Sequence, residues 1–331
     1  MNSELKLKVD LMVENYNELK RNFIWDMGLL KHFCAMMHAT RGKKVDIDRI
    51  KEIKKYIKEE TGWTSDCRGT NELIIATLLC LEEDYKSFFK NMLEVHEKMR
   101  QEGFKKSTYL PLASYTIVKS VPREQWNCKI RRMNEFYDKM KENHFWLTSK
   151  DDYVFAAVLA TTDLDVQGTM EKVEECYNAL NKEGFWKGND LQNLSHIMAL
   201  GEEAVEEKCL KANRLYNKLI DEKCKPKNSG LATLGVLTLI SSDEDQMVRY
   251  IKEVSDYIYE QKGHGMLSLE KSTRTILSAN LVSDFYVDEM KKGVIEVALA
   301  NSITAIIIAQ EQAAVITACA ACSAAAASSS S

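Results

Sequence analysis

The chain has 331 residues, 45% of them hydrophobic and 28% charged, a globular balance that excludes a disordered polymer. Only 3 prolines and 14 glycines punctuate it, too few for a fold that turns every ten residues, so all-β architectures are excluded and a long all-helical protein is expected. The net charge of −4 provides no global attraction to nucleic acid or anionic lipid.

In chain order, MNSELKLKVD has no apolar run behind its charges, so no signal peptide is visible. An initial pair follows, NFIWDMGLLKHFCAMMHA and then DIDRIKEIKKYIKEE. Within it Cys34 and His38 stand four apart on one helical face, a spacing that could hold a metal if Cys67 joined them. No second ligand pair supports that, and a packed helix is the plainer reading, so no metal and no cofactor are expected.

From here one pattern recurs. Trp63, Phe104, Phe145, Phe185, Cys224 and His264 each follow the end of a charged helical segment, at intervals of 39 to 41 residues by subtraction. Seven or eight residues before each stands Tyr56, His96, Tyr137, Tyr177, Tyr216 or Tyr257. Residues three after and four before share the tyrosine's helix face: Met99, Met140, Leu180 and Leu219, and Met92, Met133, Val173 and Ala212. A more apolar helix precedes each amphipathic one, as in ELIIATLLCLEE and DYVFAAVLATT, with a small residue near its middle: Ala76, Ala113, Ala156, Ser195 and Gly235. Such helices are expected inside the stack. Acidic turns, such as Glu82-Glu83-Asp84 and Asp243-Glu244-Asp245, precede the amphipathic helices, where carboxylates complement the positive helix end.

The fold class read from this is all-α. It is an array of about six hairpins of about 40 residues, a HEAT/armadillo-like α-solenoid, with an Ala-rich C-terminal capping helix. Residues 1–312 form a single repeat domain with units ending near 63, 104, 145, 185, 224 and 264, and residues 313–331 form an Ala/Ser-rich tail. The charge-free run 297–310 is shorter than the roughly 20 residues a membrane span needs, so no span is expected. Cys319 and Cys322 form a lone CxxC in polyalanine, read as small-residue packing. The 9 scattered cysteines suit a reducing, cytoplasmic setting.

The loop TGWTSDCRG, the helix ELIIATLLCLEED, the KSTYLPLASYTI segment and the Ala/Ser-rich end resemble a Firmicutes family catalogued as domain of unknown function 4003. The resemblance covers most of the chain and implies a bacterial, cytosolic, all-helical protein. It carries over no catalytic residue.

Three functional classes follow. The first is a non-enzymatic helical-repeat protein that binds a protein or peptide. The second is nucleic-acid binding through a basic band at 98–141, where 11 Lys/Arg face 4 Asp/Glu, including Arg123, Lys129, Arg131 and Arg132. The third is a helical enzyme with an anion pocket near Arg68, in the loop TSDCRGTNE. No HExxH, Walker loop, GxSxG or GxGxxG is present, which leans against an enzyme.

Overall fold

The computed structural model describes residues 1–227, 230–240, 243–265, 268–292 and 315. Among them are fourteen α-helices and no strand. The amphipathic set is α1 (Ser3–Asn22), α3 (Ile47–Glu60), α5 (Tyr85–Gln101), α7 (Trp126–Asn143), α9 (Val166–Lys182), α11 (Val205–Asp221) and α13 (Glu244–Glu260). The apolar set alternates with it: α2 (Gly28–Ala39), α4 (Thr70–Cys80), α6 (Leu110–Ser120), α8 (Asp152–Thr161), α10 (Asn189–Met198), α12 (Leu231–Ile240) and α14 (Lys271–Lys292).

The acidic turns act as N-caps. Asp46, Asp84, Asp165 and Asp243 accept hydrogen bonds from the backbone N–H of Arg49, Ser87, Gly168 and Gln246. The amphipathic helices bury a single stripe, as in α5 with Tyr85, Phe89, Met92, Val95 and Met99. The apolar helices are covered on every side: Asn71 through Leu79 of α4 are consecutively buried, as are Asp152 through Ala160 of α8. They are therefore an inner layer inside the amphipathic outer layer. The small mid-helix residues serve close approach within it. A Cβ on Gly235 would stand 3.0 Å from Ile197 and Leu194 of α10.

Outer helices run parallel to one another. Arg123, in the turn that leads into α7, meets Glu94 at 2.6 Å, and Lys98 meets Asn127 at 2.8 Å, four residues further along both segments. The sequence grouped each apolar helix with the amphipathic helix after it. The more extensive packing is with the amphipathic helix before it, giving seven pairs from α1–α2 to α13–α14. In an elongated array the first and last pairs would stand apart. Here α14 packs on α1 and α2, and α13 packs on α1, so the two layers close into a ring. The segment expected as a cap begins with α14, which lies between α12 and α2 as a further inner helix. Residues 293–314 and 316–331 lie outside the described residues, and with them the charge-free run, the CxxC and most of the Ala/Ser-rich tail. Val315 is helical, buried and part of the common apolar core.

The tyrosine register explains the closure. Three register residues meet the end of the preceding outer helix. Tyr137 lies 5.9 Å from Phe104, Tyr177 4.4 Å from His144 and Tyr216 5.1 Å from Phe185, between ring centroids. A seventh member was missed in the sequence. Tyr16 stands 40 residues before Tyr56 and meets His264, at the end of α13, at 4.7 Å. The seam thus repeats the contact used between other neighbours. Lys8 bridges it to Asp284 at 2.5 Å and Asp288 at 2.6 Å, and the Tyr257 hydroxyl donates to Asp10 at 2.6 Å.

The six residues that follow the outer helices do not share one environment. Phe104, Phe185, Cys224 and His264 are buried, but Trp63 and Phe145 are exposed. The cause is the helix ending. Gly103 and Gly184 take φ of +99°, a left-handed turn that L side chains resist, and so carry the chain back over the helix. The N–H of Phe104 then bonds Met99 O and that of Phe185 bonds Leu180 O, both at 3.1 Å, placing each ring inside. After α7 the residue in that place is His144, with φ −136°, and after α3 Thr61 is extended. Neither chain turns back, and the next aromatic points to solvent.

Phe104→Ala and Phe185→Ala should each cost about 3–5 kcal/mol, whereas Phe145→Ala should stay within about 0.5 kcal/mol, as read from denaturant unfolding midpoints. Equal losses for all three would refute these placements. Lys8→Ala should destabilise by roughly 3 kcal/mol, since it leaves carboxylates at the seam without their cation. Hydrogen exchange should then rise first in α1 and α14; uniform exchange would contradict a seam held by Lys8.

Candidate binding surface at the aromatic end of the ring

Parallel outer helices place all seven of their C-terminal loops at one end of the ring. Those loops carry the exposed aromatics. Trp25 is 94% exposed, Trp63 86%, Trp146 93% and Trp186 88%, with Ile24 and Phe145 beside them. The fifth tryptophan, Trp126, is buried and donates its indole N–H to Val121 O at 3.2 Å. Large aromatic side chains are normally covered, so four bare indoles at one end need a reason.

Two hollows lie between successive loops of this end. One, of about 530 Å³, is lined by Phe104, Lys105, Tyr137, Lys141, Lys150 and Tyr153 among others. The other, of about 490 Å³, includes Phe185, Trp186, Lys187, Tyr216, Lys225 and Leu231. They are built alike. Each has a register tyrosine against the buried Phe, and a lysine over the tyrosine ring: Lys141 at 4.1 Å from Tyr137, Lys225 at 6.0 Å from Tyr216. Tyr153 accepts the Lys105 N–H at 3.1 Å, closing one wall.

The residues singled out in the sequence do not converge: Arg68 shares the loop after α3 with Trp63, and the others lie in the turn that leads into α7 or within α7 itself. Arg68 donates to Thr61 Oγ1 at 3.1 Å and to the carbonyls of Lys58 and Thr61, binding its loop to the end of α3. Arg123 pairs with Glu94 and lies over the Trp126 ring at 5.5 Å. Lys129 is buried, with Nζ 3.1 Å from Thr162 O and 3.4 Å from Asp163. Arg132 lies over Phe136 at 5.2 Å, its Nε and Nη2 buried without a hydrogen-bond partner. Arg131 is exposed and lines a shallow hollow of about 480 Å³ with Lys98 and Asn127. Elsewhere in the basic band, Lys119 pairs with Glu82 and Lys139 with Glu142. Much of the band's charge is therefore met by the chain's own acceptors.

The histidines of KHFCAMMH are interior. His38 Nε2 lies 3.2 Å from Thr77 O, and the His32 ring stacks on Tyr16 at 3.8 Å with neither nitrogen hydrogen-bonded. Among the described residues no three His, Cys, Asp or Glu side chains converge as a metal would require. Burial holds His32 well below the usual imidazole range, His38 down at about 4 and His196 at about 3.

The fold and this surface define a ring-shaped, all-helical protein with one aromatic end. The chain belongs to the family described as protein of unknown function (DUF4003), whose pattern spans residues 15–312. It is 24% identical to the uncharacterized protein YeaA of Bacillus subtilis (strain 168) over 319 residues, 93% of each chain. No solved structure matches it.

The buried histidines set a pH response. They are neutral in the folded state, while the unfolded chain takes up their protons near about pH 6.5. Their contribution is therefore intact above about 6.5 and is lost as pH falls toward the depressed folded values. The melting temperature should drop between about pH 7 and about pH 5, and His196→Phe should flatten that slope. A melting temperature unchanged across this window would rule the effect out.

Proposed function

We propose that this protein is a non-enzymatic binding protein. In this reading it is a helical-repeat scaffold, related to α-solenoids but closed on itself, and its aromatic end is the docking surface. Four solvent-exposed tryptophans on separate loops of one end carry the proposal. Leaving an indole in water forgoes burial worth about 1.5–3 kcal/mol for a large apolar side chain, which a bound partner would recover. The repeat reading is supported by the register contact that recurs between neighbours and across the seam. The repeat pattern first suggested a protein or peptide partner; the exposed indoles support only the narrower statement that docking takes place at this end. The basic band is a poorer candidate for nucleic acid, since Arg123, Lys119, Lys129 and Lys139 are already paired.

The test is position-specific photocrosslinking in the native cell. A photoreactive residue in place of Trp146 or Trp186 should give adducts, and one in place of Glu202, at the opposite end, should not. Adduct formation independent of position would overturn the assignment of the docking surface.

A further inference from the structure

We infer that the partner at the aromatic end is an anionic lipid surface, to which the ring docks flat with its tryptophans in the interfacial layer. This rests on the reading of that end as the docking surface. Three observations carry it.

The first is the form of the apolar groups. The four indoles project almost fully into solvent, Trp186 at the mouth of a hollow included. They sit on the loops after α1, α3, α7 and α9. At corresponding places after α5 and α11 stand Lys105-Lys106 and Lys225-Pro226-Lys227. Projecting aromatics and lysines spread around one rim suit a flat, deformable partner. A folded protein would instead need a separate pocket for each indole. Tryptophan favours the boundary between headgroups and hydrocarbon, where its ring and its N–H are both satisfied.

The second is charge. The chain's net −4 conceals a division between the two ends. In the seven loops of the aromatic end, 9 Lys/Arg stand against 7 Asp/Glu. In the six loops of the opposite end, 4 Lys/Arg stand against 10 Asp/Glu. Basic residues in the last turns of the outer helices, among them Lys20, Arg21, Arg100, Lys141 and Lys182, add to the first end. An anionic surface attracts one end and repels the other, which fixes the docking orientation within a Debye length of the membrane.

The third is the pair of hollows. Each opens at this end and carries one more cation than anion: Lys105, Lys141 and Lys150 against Glu102 and Asp138, and Lys187 and Lys225 against Asp190. Their volumes of about 530 and 490 Å³ fit a phosphate-bearing headgroup, with Trp186 at the mouth of the second. Among the described residues no helix is long and apolar enough to cross a membrane, and flat docking requires none.

The full chain, mixed with phosphatidylcholine vesicles containing phosphatidylglycerol, should co-sediment with them. It should bind pure phosphatidylcholine about tenfold less well, and added salt should release it. Its tryptophan emission should shift to the blue on binding. Trp126 is already buried, so the shift reports the four exposed indoles. Trp146→Ser with Trp186→Ser should weaken vesicle binding about tenfold at an unchanged melting temperature, whereas Glu202→Lys should not weaken it. Failure to bind phosphatidylglycerol vesicles, or equal binding by the double variant, would overturn the inference. If crosslinks from position 146 then still capture a protein, the docking surface stands and the lipid assignment falls; if neither occurs, both fall.

Discussion

Closure of the inner layer is the constraint on which the rest of this structure depends. α2, α4, α6, α8, α10, α12 and α14 are buried around most of their circumference, so a neighbour is needed on both sides. An open stack would leave two such helices with a bare flank. Closure removes both flanks at once, and Tyr16 against His264, Tyr257 against Asp10 and Lys8 against Asp284 hold the junction. Parallel outer helices follow from the same alternation. So does the collection of all their C-terminal loops at one end, which turns a property of single loops into a property of a surface.

The two ends differ because helix termini differ. Asp46, Asp84, Asp165 and Asp243 cap outer-helix N-termini, and such caps gather carboxylates at one end of the ring. Lysines and arginines collect in the last turns for the complementary reason, at the other end. Local choices that stabilise single helices thus sum to a molecular asymmetry, and the exposed aromatics occupy its basic side.

Much of this was legible in the sequence. The 40-residue period, the alternation of apolar and amphipathic helices, the small residues such as Gly235 and the capping aspartates all depend on local pattern, which periodicity reports directly. Closure was not legible, because a repeat pattern is the same whether its ends meet or diverge. The one available sign was Tyr16, in register with Tyr56 but ahead of the landmark series. The candidate cations stood out as charges, yet Arg68, Arg123 and Lys129 are used internally, and their partners are known only from the fold. The exposure of Phe145 could have been found from its helix ending. KEGF and QEGF carry a glycine that turns the aromatic inward, and KENHFW has histidine there; EETGW carries Gly62 in the same place without the left-handed turn, so the exposure of Trp63 was not legible.

The seam also bears on synthesis. Its contacts join residues 247 and 276 positions apart, so α1 leaves the ribosome long before α13 and α14 exist. At about 5–20 residues per second the first helices wait on the order of ten seconds or more for their last neighbours. Over that interval the apolar flank of α2 has no inner helix on one side. The growing chain is then an open arc with adhesive edges, and a second nascent arc from the same message presents the matching edge. Ring closure within one chain therefore competes with exchange of end hairpins between chains, a competition governed by chain concentration and not by the stability of the finished ring.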